Sequence, residues 1–314
     1  MADPRKIVVT GATGFIGTAL IAALRAAGDA VVVLSRDADR ARLQLGNVTA
    51  VTCDLQSPGP WTSALAGAAA IVHLAGEPIA ARRWDARQKQ RIRDSRVEAT
   101  RTLVEAIAAL EPGSRPRALV SASGADYYPF APDAKDSEFD DDEVIESAAP
   151  GDSFLARLCR DWEAEAQAAE RLGVRVVCMR TGLVLGPGGA LAKMTTPFKL
   201  FVGGRIGSGR QWVPWIHRDD AVRAYLAAIT DERYTGPINL VTASVRNAEL
   251  AQALGKALGR PSWLPVPGFA LRAAVGELAD HALHGRRVVP KRLRELGFSW
   301  TYPNLDEALA HSRA

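Results

Sequence analysis

The chain has 314 residues, of which 47% are hydrophobic and 24% are charged, a composition typical of a folded globular protein with a substantial core. Its 39 basic and 35 acidic residues give a formal net charge of +4, which is too balanced to indicate nucleic acid or a membrane surface as the main partner. The cysteines are few and widely spaced, which argues against a disulfide framework or a zinc site and fits a reducing compartment: Cys53, Cys159 and Cys178.

The opening residues MADPRK contain no apolar signal segment, and no apolar run approaches the roughly 18 residues of a membrane helix. We therefore expect a soluble, cytoplasmic protein.

The first chemical signal along the chain is KIVVTGATGFIG, residues 6–17. Ile7 to Val9 predict a buried parallel strand, and the alanine- and leucine-rich stretch from Thr18 to Ala27 predicts a helix. Between them a glycine recurs at every third position: Gly11, Gly14 and Gly17. The first permits a tight turn, the second lets backbone N–H groups approach a pyrophosphate, and the third lets the helix pack closely on the strand.

This order of strand, glycine turn and helix predicts a dinucleotide site, with the free N–H groups of the helix N-terminus facing the anion. The alternative is a structural turn without a ligand. The cofactor contacts predicted in this segment are Thr10, Gly11, Thr13, Gly14, Phe15, Ile16 and Gly17.

The second predicted strand, Ala30 to Leu34, ends at Ser35 and Arg36. An NAD site usually has a carboxylate here for the ribose 2′-hydroxyl, whereas a hydroxyl and a guanidinium suit a 2′-phosphate. We therefore expect NADP rather than NAD. The alternatives are that Arg36 is a solvated loop residue and that Arg40 contacts the phosphate.

Three further strands are predicted at Val48 to Thr52, Ala70 to Leu74 and Arg117 to Ala122. Their carboxyl ends meet at one sheet edge, where open α/β sheets bind ligands. Asp54 either accepts a hydrogen bond from the adenine amino group or caps the following turn. The residues predicted to contact the cofactor at these strand ends are Asp54, Leu55, Ala75, Gly76 and Ser121, with Ser123 beside them.

Two charged segments separate the later elements. The basic residues between 81 and 110 alternate with apolar residues at helical spacing, which predicts an amphipathic helix with a solvated basic face rather than a nucleic-acid site. Asp133 to Glu146 are rich in carboxylates but lack the spacing of a calcium loop, so we expect a solvated, mobile segment and no metal.

A helix is predicted from Asp152 to Leu172, capped by Asp152 or Ser153 and stopped by Gly173, followed by a strand from Arg175 to Met179. Arg180 ends this strand and is predicted to contact the cofactor. The β/α alternation to this point predicts an α/β, Rossmann-type, doubly wound parallel sheet.

After residue 186 the alternation gives way to a glycine-rich region, two tryptophans and short helices broken by prolines. We expect a smaller, mainly helical substrate domain built from about 181–217 and 244–314, beside a dinucleotide-binding domain of 1–180 and about 218–243. The predicted later elements are a strand at Pro237 to Leu240 and helices at Asp219 to Ile229, Ala248 to Leu258, Ala270 to Leu283, Lys291 to Leu296 and Asp306 to Ala310.

The second domain has charged, amide and aromatic side chains, which suit the binding of a polar small molecule. The alternative is that the tryptophans belong to the core at the domain interface. His217 beside Asp219 and Asp220 suggests a general base, but we favour a structural histidine with one of these aspartates capping the next helix. The residues predicted to contact substrate are Arg210, Gln211, Trp212 and Trp215.

The sequence resembles the extended short-chain dehydrogenase/reductase superfamily in TGATGFIG, in the position of Ser123 and in WIHRDDA. More narrowly it resembles the atypical epimerase family with a DUF1731 C-terminal domain, through HLAGEPIAARRW, DSRVEATRTL, RTGLVLG, GSGRQW and VVPKRLRELGF. The resemblance covers nearly the whole chain and implies an NAD(P)-dependent epimerase-like oxidoreductase with Ser123 at the catalytic serine or threonine position.

The chain departs from that superfamily at its Tyr-x-x-x-Lys pair. When Glu163 is aligned with the acidic residue that commonly follows the pair, Leu155 and Cys159 stand at the tyrosine and lysine positions. Arg96 likewise stands where the superfamily commonly has an asparagine. Neither Leu155 nor Cys159 can supply the usual phenol and ammonium. A proton donor could come from elsewhere, or the protein could bind NADPH without turnover, as a sensor or interaction protein. The catalytic candidates are Ser123, Tyr127, Tyr128 and Cys159.

Overall fold

A computed structural model describes residues 3–129 and 141–312. Its strands in chain order are β1 Lys6–Thr10, β2 Ala30–Ser35, β3 Thr49–Thr52, β4 Ala70–His73, β5 Ala118–Gly124, β6 Glu143–Val144, β7 Arg175–Thr181, β8 Leu183–Leu185, β9 Trp212–His217, β10 Gly236–Leu240, β11 Ala243–Arg246 and β12 Arg287–Val288. The α-helices are α1 Phe15–Ala26, α2 Ala38–Leu45, α3 Ala86–Asp94, α4 Val97–Ala108, α5 Phe154–Gln167, α6 Gly189–Lys199, α7 Arg218–Thr230, α8 Asn247–Leu258, α9 Gly268–Val275, α10 Leu278–Leu283, α11 Lys291–Glu295 and α12 Leu305–His311.

Seven strands form one parallel sheet in the order β10-β7-β5-β4-β1-β2-β3. The chain runs outward from β1 to β3 and then crosses to β4 on the other side of β1. This reversal creates a crevice at the carboxyl ends of β1 and β4, the point where such sheets bind dinucleotides. The predicted Rossmann-type, doubly wound fold is therefore confirmed.

Helices cover both faces of the sheet, because alternate residues of each strand point to opposite sides. Ile7 and Val9 join the core beneath α1 and α7, whereas Val8 joins the core beneath α4. All three are fully buried, which explains the continuous apolar run in the sequence. No helix in the described ranges is long and apolar enough to cross a membrane.

The predicted helical segment between 81 and 110 is two helices, α3 and α4, interrupted at Ser95 and Arg96. The Ser95 hydroxyl accepts a hydrogen bond from the Glu77 N–H group, and the Arg96 guanidinium donates to the carbonyls of Glu77 and Ile92. Arg96 is thus buried, whereas most of the basic residues around it are exposed.

A second, smaller region contains elements that the glycine-rich sequence did not predict. Strands β8, β9 and β11 form a sheet in the order β11-β9-β8, packed with α6, α8 and α12 around an apolar cluster. The predicted helix from Ala270 to Leu283 is also two helices, α9 and α10, broken at Gly276, whose φ is +67°. The proposed domain boundaries remain a prediction.

Residues 133–140 of the acidic segment lie outside the described residues. Glu146, at its end, is buried rather than solvated and mobile, contrary to our expectation. Its Oε1 accepts hydrogen bonds from the backbone N–H groups of Asn239 and Arg292, each at 3.1 Å. This carboxylate therefore ties the segment to β10 and to the start of α11.

Candidate functional site

The glycine turn between β1 and α1 has the backbone geometry that the sequence predicts. Gly11 has a φ of +67°, and the Gly14 N–H donates to the Gly11 carbonyl at 3.0 Å. A Cβ on Gly17 would lie 2.4 Å from that same carbonyl oxygen, so only glycine permits this close packing. No side chain caps α1 at Gly14, which leaves its first N–H groups available to an anion.

A cleft of about 340 Å³ opens beside this turn, at the carboxyl ends of β1 to β4. Backbone groups of the glycine turn form one wall, and the residues after β2, β3 and β4 form the others. The structure brings together nine of the predicted cofactor contacts here: Gly11, Thr13, Gly14, Ser35, Arg36, Asp54, Leu55, Ala75 and Gly76.

The end of β2 presents Arg36 to this cleft, exposed and without an ion pair among the residues described. The nearest carboxylate in sequence, Asp37, accepts a hydrogen bond from the Arg40 N–H at 2.9 Å and caps α2. Asp54 likewise accepts from the Gln56 N–H at 3.1 Å, which supports the interpretation that it caps a turn. The cleft wall does not include Arg40.

Thr10 lies beneath the glycine turn and does not line the cleft. Its hydroxyl lies 2.7 Å from His73 Nδ1 and accepts from the Ala75 N–H, while His73 Nε2 lies 3.1 Å from the Thr100 hydroxyl. Burial, with the nearby charge of Arg96, lowers the pKa of His73 to about 4, so the ring is neutral. Thr10 and His73 together hold the ends of β1 and β4 in place.

Three further predicted contacts have structural rather than cleft positions. Phe15 contacts the segment at Gly189, where an added Cβ would lie 2.9 Å from its ring, and Ile16 packs against the core. Ser121 is buried and donates to the Ala122 carbonyl. These three side chains therefore support the fold around the site.

Arg180 was also expected to contact the cofactor, but its side chain is buried in an ion pair. Nε and Nη2 donate to the two oxygens of Glu163, both at 2.8 Å, and Nη1 donates to Tyr128 Oη and the Glu146 carbonyl. Burial alone would lower the pKa of Arg180, but the hydrogen bonds that it donates to the Glu163 carboxylate raise the pKa well above its usual range. The guanidinium is thus a buried structural cation.

Tyr127 and Tyr128, both candidate proton donors, pack against this ion pair. The Tyr128 hydroxyl donates to Asn239 Oδ1 at 2.6 Å, and burial raises the pKa of Tyr128 to about 12. The Tyr127 ring centroid lies 3.5 Å from Arg180 Cζ, a cation–π contact. The structure therefore disfavours Tyr128 as an acid and gives Tyr127 a packing role.

Leu155 and Cys159, at the positions of the usual tyrosine and lysine, are buried on α5. Leu155 packs with Trp84, Ile92 and Trp162. Burial, reinforced by the carboxylates of Asp126 and Glu163, raises the pKa of the Cys159 thiol to about 12. Cys159 is therefore a neutral packing residue, and the structure disfavours it as an acid or nucleophile.

Arg96 occupies the position of the superfamily's asparagine and lies behind the cleft wall. A Cβ on Gly76 would approach its Cζ to 2.9 Å, and the Trp162 ring centroid lies 5.4 Å from the same carbon. Burial lowers the pKa of Arg96, yet a guanidinium stays charged. Among the described residues no carboxylate forms an ion pair with it, so a positive charge remains beside the cleft.

A second pocket, of about 330 Å³, lies beyond β5 and β7, between the large sheet and the second region. Of the four predicted substrate residues, Trp212 lines it. Gln211 is buried and donates to the carbonyls of Ile206 and Ala282, and Trp215 is 1% exposed within the second core. Both are structural, and Arg210 is exposed outside the pocket wall.

The second pocket also contains polar residues that the sequence did not single out, among them Asp126 and His281. Asp126 follows β5 on a 3₁₀ turn, His281 lies on α10, and both line the pocket. Their separation of 155 positions gives no local motif. The one available signal was that two of the chain's five histidines lie in the short segment HALHGRR.

His217 is a buried structural residue, as we favoured. Its Nδ1 accepts the Asp219 N–H and thereby caps α7, and its Nε2 lies 3.3 Å from His311 Nδ1. Neither aspartate caps the helix: the Asp220 carboxylate instead accepts the N–H groups of Thr301 and Tyr302. Our assignment of the cap to an aspartate was therefore wrong.

The doubly wound sheet, the glycine turn and the cleft at the switch point define a dinucleotide-binding protein. Residues 7–240 match the NAD dependent epimerase/dehydratase family, and residues 266–312 match a domain of unknown function, DUF1731. The chain therefore belongs to the NAD dependent epimerase/dehydratase family, in the subgroup with a DUF1731 domain, and the resemblance noted from its motifs is confirmed.

Relatives resemble the chain over nearly its whole length. A chloroplastic homologue of the epimerase family protein SDR39U1 from Arabidopsis thaliana is 41% identical over 305 residues, covering 96% of this chain and 85% of the plant protein. The crystal structure of human SDR39U1 with NADPH has a TM-score of 0.83 and 35% identity, covering 98% of this chain and 99% of the human one. A nucleoside-diphosphate sugar epimerase from Corynebacterium glutamicum has a TM-score of 0.77 and 31% identity, covering 99% of this chain and 58% of that one.

Proposed function

We propose that the protein is an NADP(H)-binding, epimerase-like oxidoreductase that acts on a polar small molecule. The observation that carries the choice of cofactor is Arg36, an exposed guanidinium on the cleft wall where an NAD site usually has a carboxylate. Asp37, the next residue, caps α2 and does not line the cleft. The NADPH bound to human SDR39U1 supports the same choice.

The residues of the cleft fit each part of this cofactor. The glycine turn and the uncapped N-terminus of α1 suit the pyrophosphate, and Arg36 suits the 2′-phosphate. The charge of Arg96 beside Gly76, which has no ion pair among the described residues, favours an anionic ligand in the same cleft. When bound, NADPH would supply a hydride to a carbonyl carbon.

The second pocket is the proposed substrate site, because it opens at the carboxyl ends of β5 and β7, on the same sheet edge as the cleft. Apolar residues line it together with the polar groups of Asp126, His281, His284 and Arg286. This combination suits a polar molecule that carries a carbonyl or hydroxyl group.

Cofactor choice is tested by fluorescence titration of the full chain with NADPH and NADH. We expect tighter binding of NADPH, and we expect Arg36→Ala to weaken NADPH binding by about tenfold or more, the value of one charge-assisted contact, while NADH binding changes little. Arg40→Ala tests the alternative phosphate contact, and Arg171→Ala, an exposed arginine outside the cleft wall, is the matched control. Equal affinities for the two cofactors would overturn the assignment.

Turnover is tested by single-turnover absorbance of bound NADPH against a panel of aldehydes, ketones and nucleotide sugars. Oxidation of NADPH supports the oxidoreductase. The second candidate function is a non-catalytic NADPH-binding sensor, favoured by the replacement of the tyrosine and lysine with Leu155 and Cys159. Tight NADPH binding with no oxidation by any member of the panel would favour the sensor.

A further inference from the structure

A further cavity, of about 400 Å³, adjoins the cofactor cleft at the end where Arg36 lies. Five residues line both spaces: Arg36, Gln56, Glu77, Asp94 and Ser95. The wall of the cavity also includes Arg82 and Arg91, which do not line the cleft itself. The cavity is therefore an extension of the cleft, and three arginines from separate segments of the chain line it.

Arg82 lies between β4 and α3, on a segment that hydrogen bonds hold on both sides. Before it, the Ala80 carbonyl accepts from Lys193 Nζ at 2.8 Å. After it, the buried Trp84 side chain donates from Nε1 to the Ile79 carbonyl at 2.9 Å. The backbone that carries Arg82 is therefore fixed at the edge of the cavity, and little ordering is needed for it to meet a ligand.

Arg91 lies on the regular helix α3. Asp85 caps this helix by accepting the Gln88 N–H at 2.6 Å, and Ile92 is fully buried in an apolar cluster. Arg91 precedes Ile92 and is exposed. A packed helix therefore carries this second guanidinium to the cavity wall.

The three arginines of the cavity differ from neighbouring basic residues in their contacts. Within the described ranges, the side chains of Arg36, Arg82 and Arg91 form no ion pair and no hydrogen bond. Arg93, on the same helix as Arg91, instead pairs with Glu98 at 2.8 Å. The donors of the three cavity arginines are thus available to a ligand.

Two carboxylates also line the cavity, Glu77 and Asp94. Asp94 Oδ1 accepts from Gln90 Nε2 at 2.6 Å, and the Glu77 carbonyl accepts from the buried Arg96 at 3.0 Å. Three guanidinium groups face two carboxylates in the wall, and Arg96 adds a further positive charge behind it. This excess of positive charge favours an anionic group in the cavity.

We propose that Arg82 and Arg91 act with Arg36 as the residues that select the 2′-phosphate of NADP(H); the proposal rests on the proposed function. Arg36 belongs to both the cleft and the cavity, so a phosphate held by Arg36 lies where the two spaces meet. Guanidinium groups from three segments can donate to different oxygens of one phosphate. Two residues of the basic segment between 81 and 110 thereby serve the cofactor site instead of a merely solvated helix face.

The proposal is tested by titrating the full-length protein with NADPH and NADH, and with the fragments 2′,5′-ADP and 5′-AMP, which differ only in the 2′-phosphate. We expect Arg82→Ala and Arg91→Ala each to weaken the binding of NADPH and 2′,5′-ADP by about three- to tenfold, the value of one exposed charge-assisted contact. Binding of NADH and 5′-AMP should change by less than about twofold, since these ligands lack the phosphate.

The matched control is Arg87→Ala, an exposed arginine on α3 that lines neither the cleft nor the cavity. It should leave the affinity of all four ligands within about twofold of wild type. Thermal unfolding of each variant should match wild type, because the three substituted side chains are exposed.

The outcomes separate this proposal from the choice of cofactor. Wild-type NADPH affinity in both Arg82→Ala and Arg91→Ala, with a loss in Arg36→Ala, would overturn the role of the two arginines and leave the NADP(H) assignment intact. Equal losses for NADPH and NADH would also overturn it, because they would indicate a contact with the adenine or the pyrophosphate, which both cofactors share. Equal affinity of the wild-type protein for NADPH and NADH would overturn the NADP(H) assignment and this proposal with it.

Discussion

The Ser123 hydroxyl donates a hydrogen bond of 2.6 Å to Glu163 Oε1, and both side chains are buried. The same carboxylate receives two donors from Arg180, so its charge is balanced inside the protein. Because the Ser123 proton is committed to Glu163, the hydroxyl can only accept a further hydrogen bond from a ligand. Ser123 is thus suited to orient a substrate hydroxyl rather than to supply a proton.

Glu163→Gln should be strongly destabilising, because it leaves the buried Arg180 cation without a counter-charge. We expect a loss of about 3 to 5 kcal/mol in the free energy of unfolding, whereas Ser123→Ala, which removes one hydrogen bond, should cost about 1 to 2 kcal/mol. The measurement is urea denaturation. Glu165→Gln on the same helix, in a partly exposed pair with Arg101, is the control and should cost less than about 1 kcal/mol. Equal midpoints for the two glutamate variants would contradict the prediction.

Gly17→Ala should disrupt the cofactor turn, because the new Cβ would meet the Gly11 carbonyl oxygen at 2.4 Å. We expect NADPH binding to fall by more than about tenfold and the free energy of unfolding to fall by about 1 to 3 kcal/mol, the usual cost of overpacking. Calorimetric titration and thermal unfolding measure the two effects. Gly113→Ala, where an added Cβ has open space and φ is not positive, should change neither. Wild-type affinity in Gly17→Ala would refute the close packing.

The pH dependence of stability should contain a contribution from His73. Its pKa falls from 6.5 in the unfolded chain to about 4 in the folded protein, so the unfolded chain binds more protons between these values. The contribution of neutral His73 to the free energy of unfolding is therefore complete above about pH 6.5. It is lost as the pH falls towards 4, by about 3 kcal/mol in all. Urea denaturation between pH 4 and 7 should show a shallower slope for His73→Gln than for wild type. Parallel curves for wild type and His73→Gln would contradict the assignment.

The nucleotide half of the site was predictable because its signals are local. The glycine spacing follows from backbone contacts within a few residues, and the end of β2 reveals Arg36 directly. The signals at Ser153 and Gly173 were equally local: Ser153 accepts the Ala156 N–H at the start of α5, and Gly173, which ends the 3₁₀ turn after α5, has a φ of +78°. Such features depend on short segments of chain and on little else.

The substrate half was not predictable, because its groups meet only through tertiary packing. Trp215 and Gln211 have the residue types of a binding site but fill the second core. Asp126 and His281 come together from distant segments, and no spacing in the sequence records that contact. Strand β8 escaped prediction for the different reason that it has only three residues and is bounded by Gly182 and Gly186.

Restoring the usual tyrosine and lysine should destabilise the protein rather than activate it. Leu155 is 2% exposed in an apolar cluster, so Leu155→Tyr adds a bulky hydroxyl without a partner. Cys159→Lys would bury an ammonium near the charge of Arg96, which already acts on the thiol. We expect the double variant to lose about 3 kcal/mol or more in the free energy of unfolding, with no gain in the rate of NADPH oxidation. The conservative pair Leu155→Met and Cys159→Ala should keep turnover and most of the stability. A double tyrosine and lysine variant with wild-type stability and faster turnover would contradict this prediction.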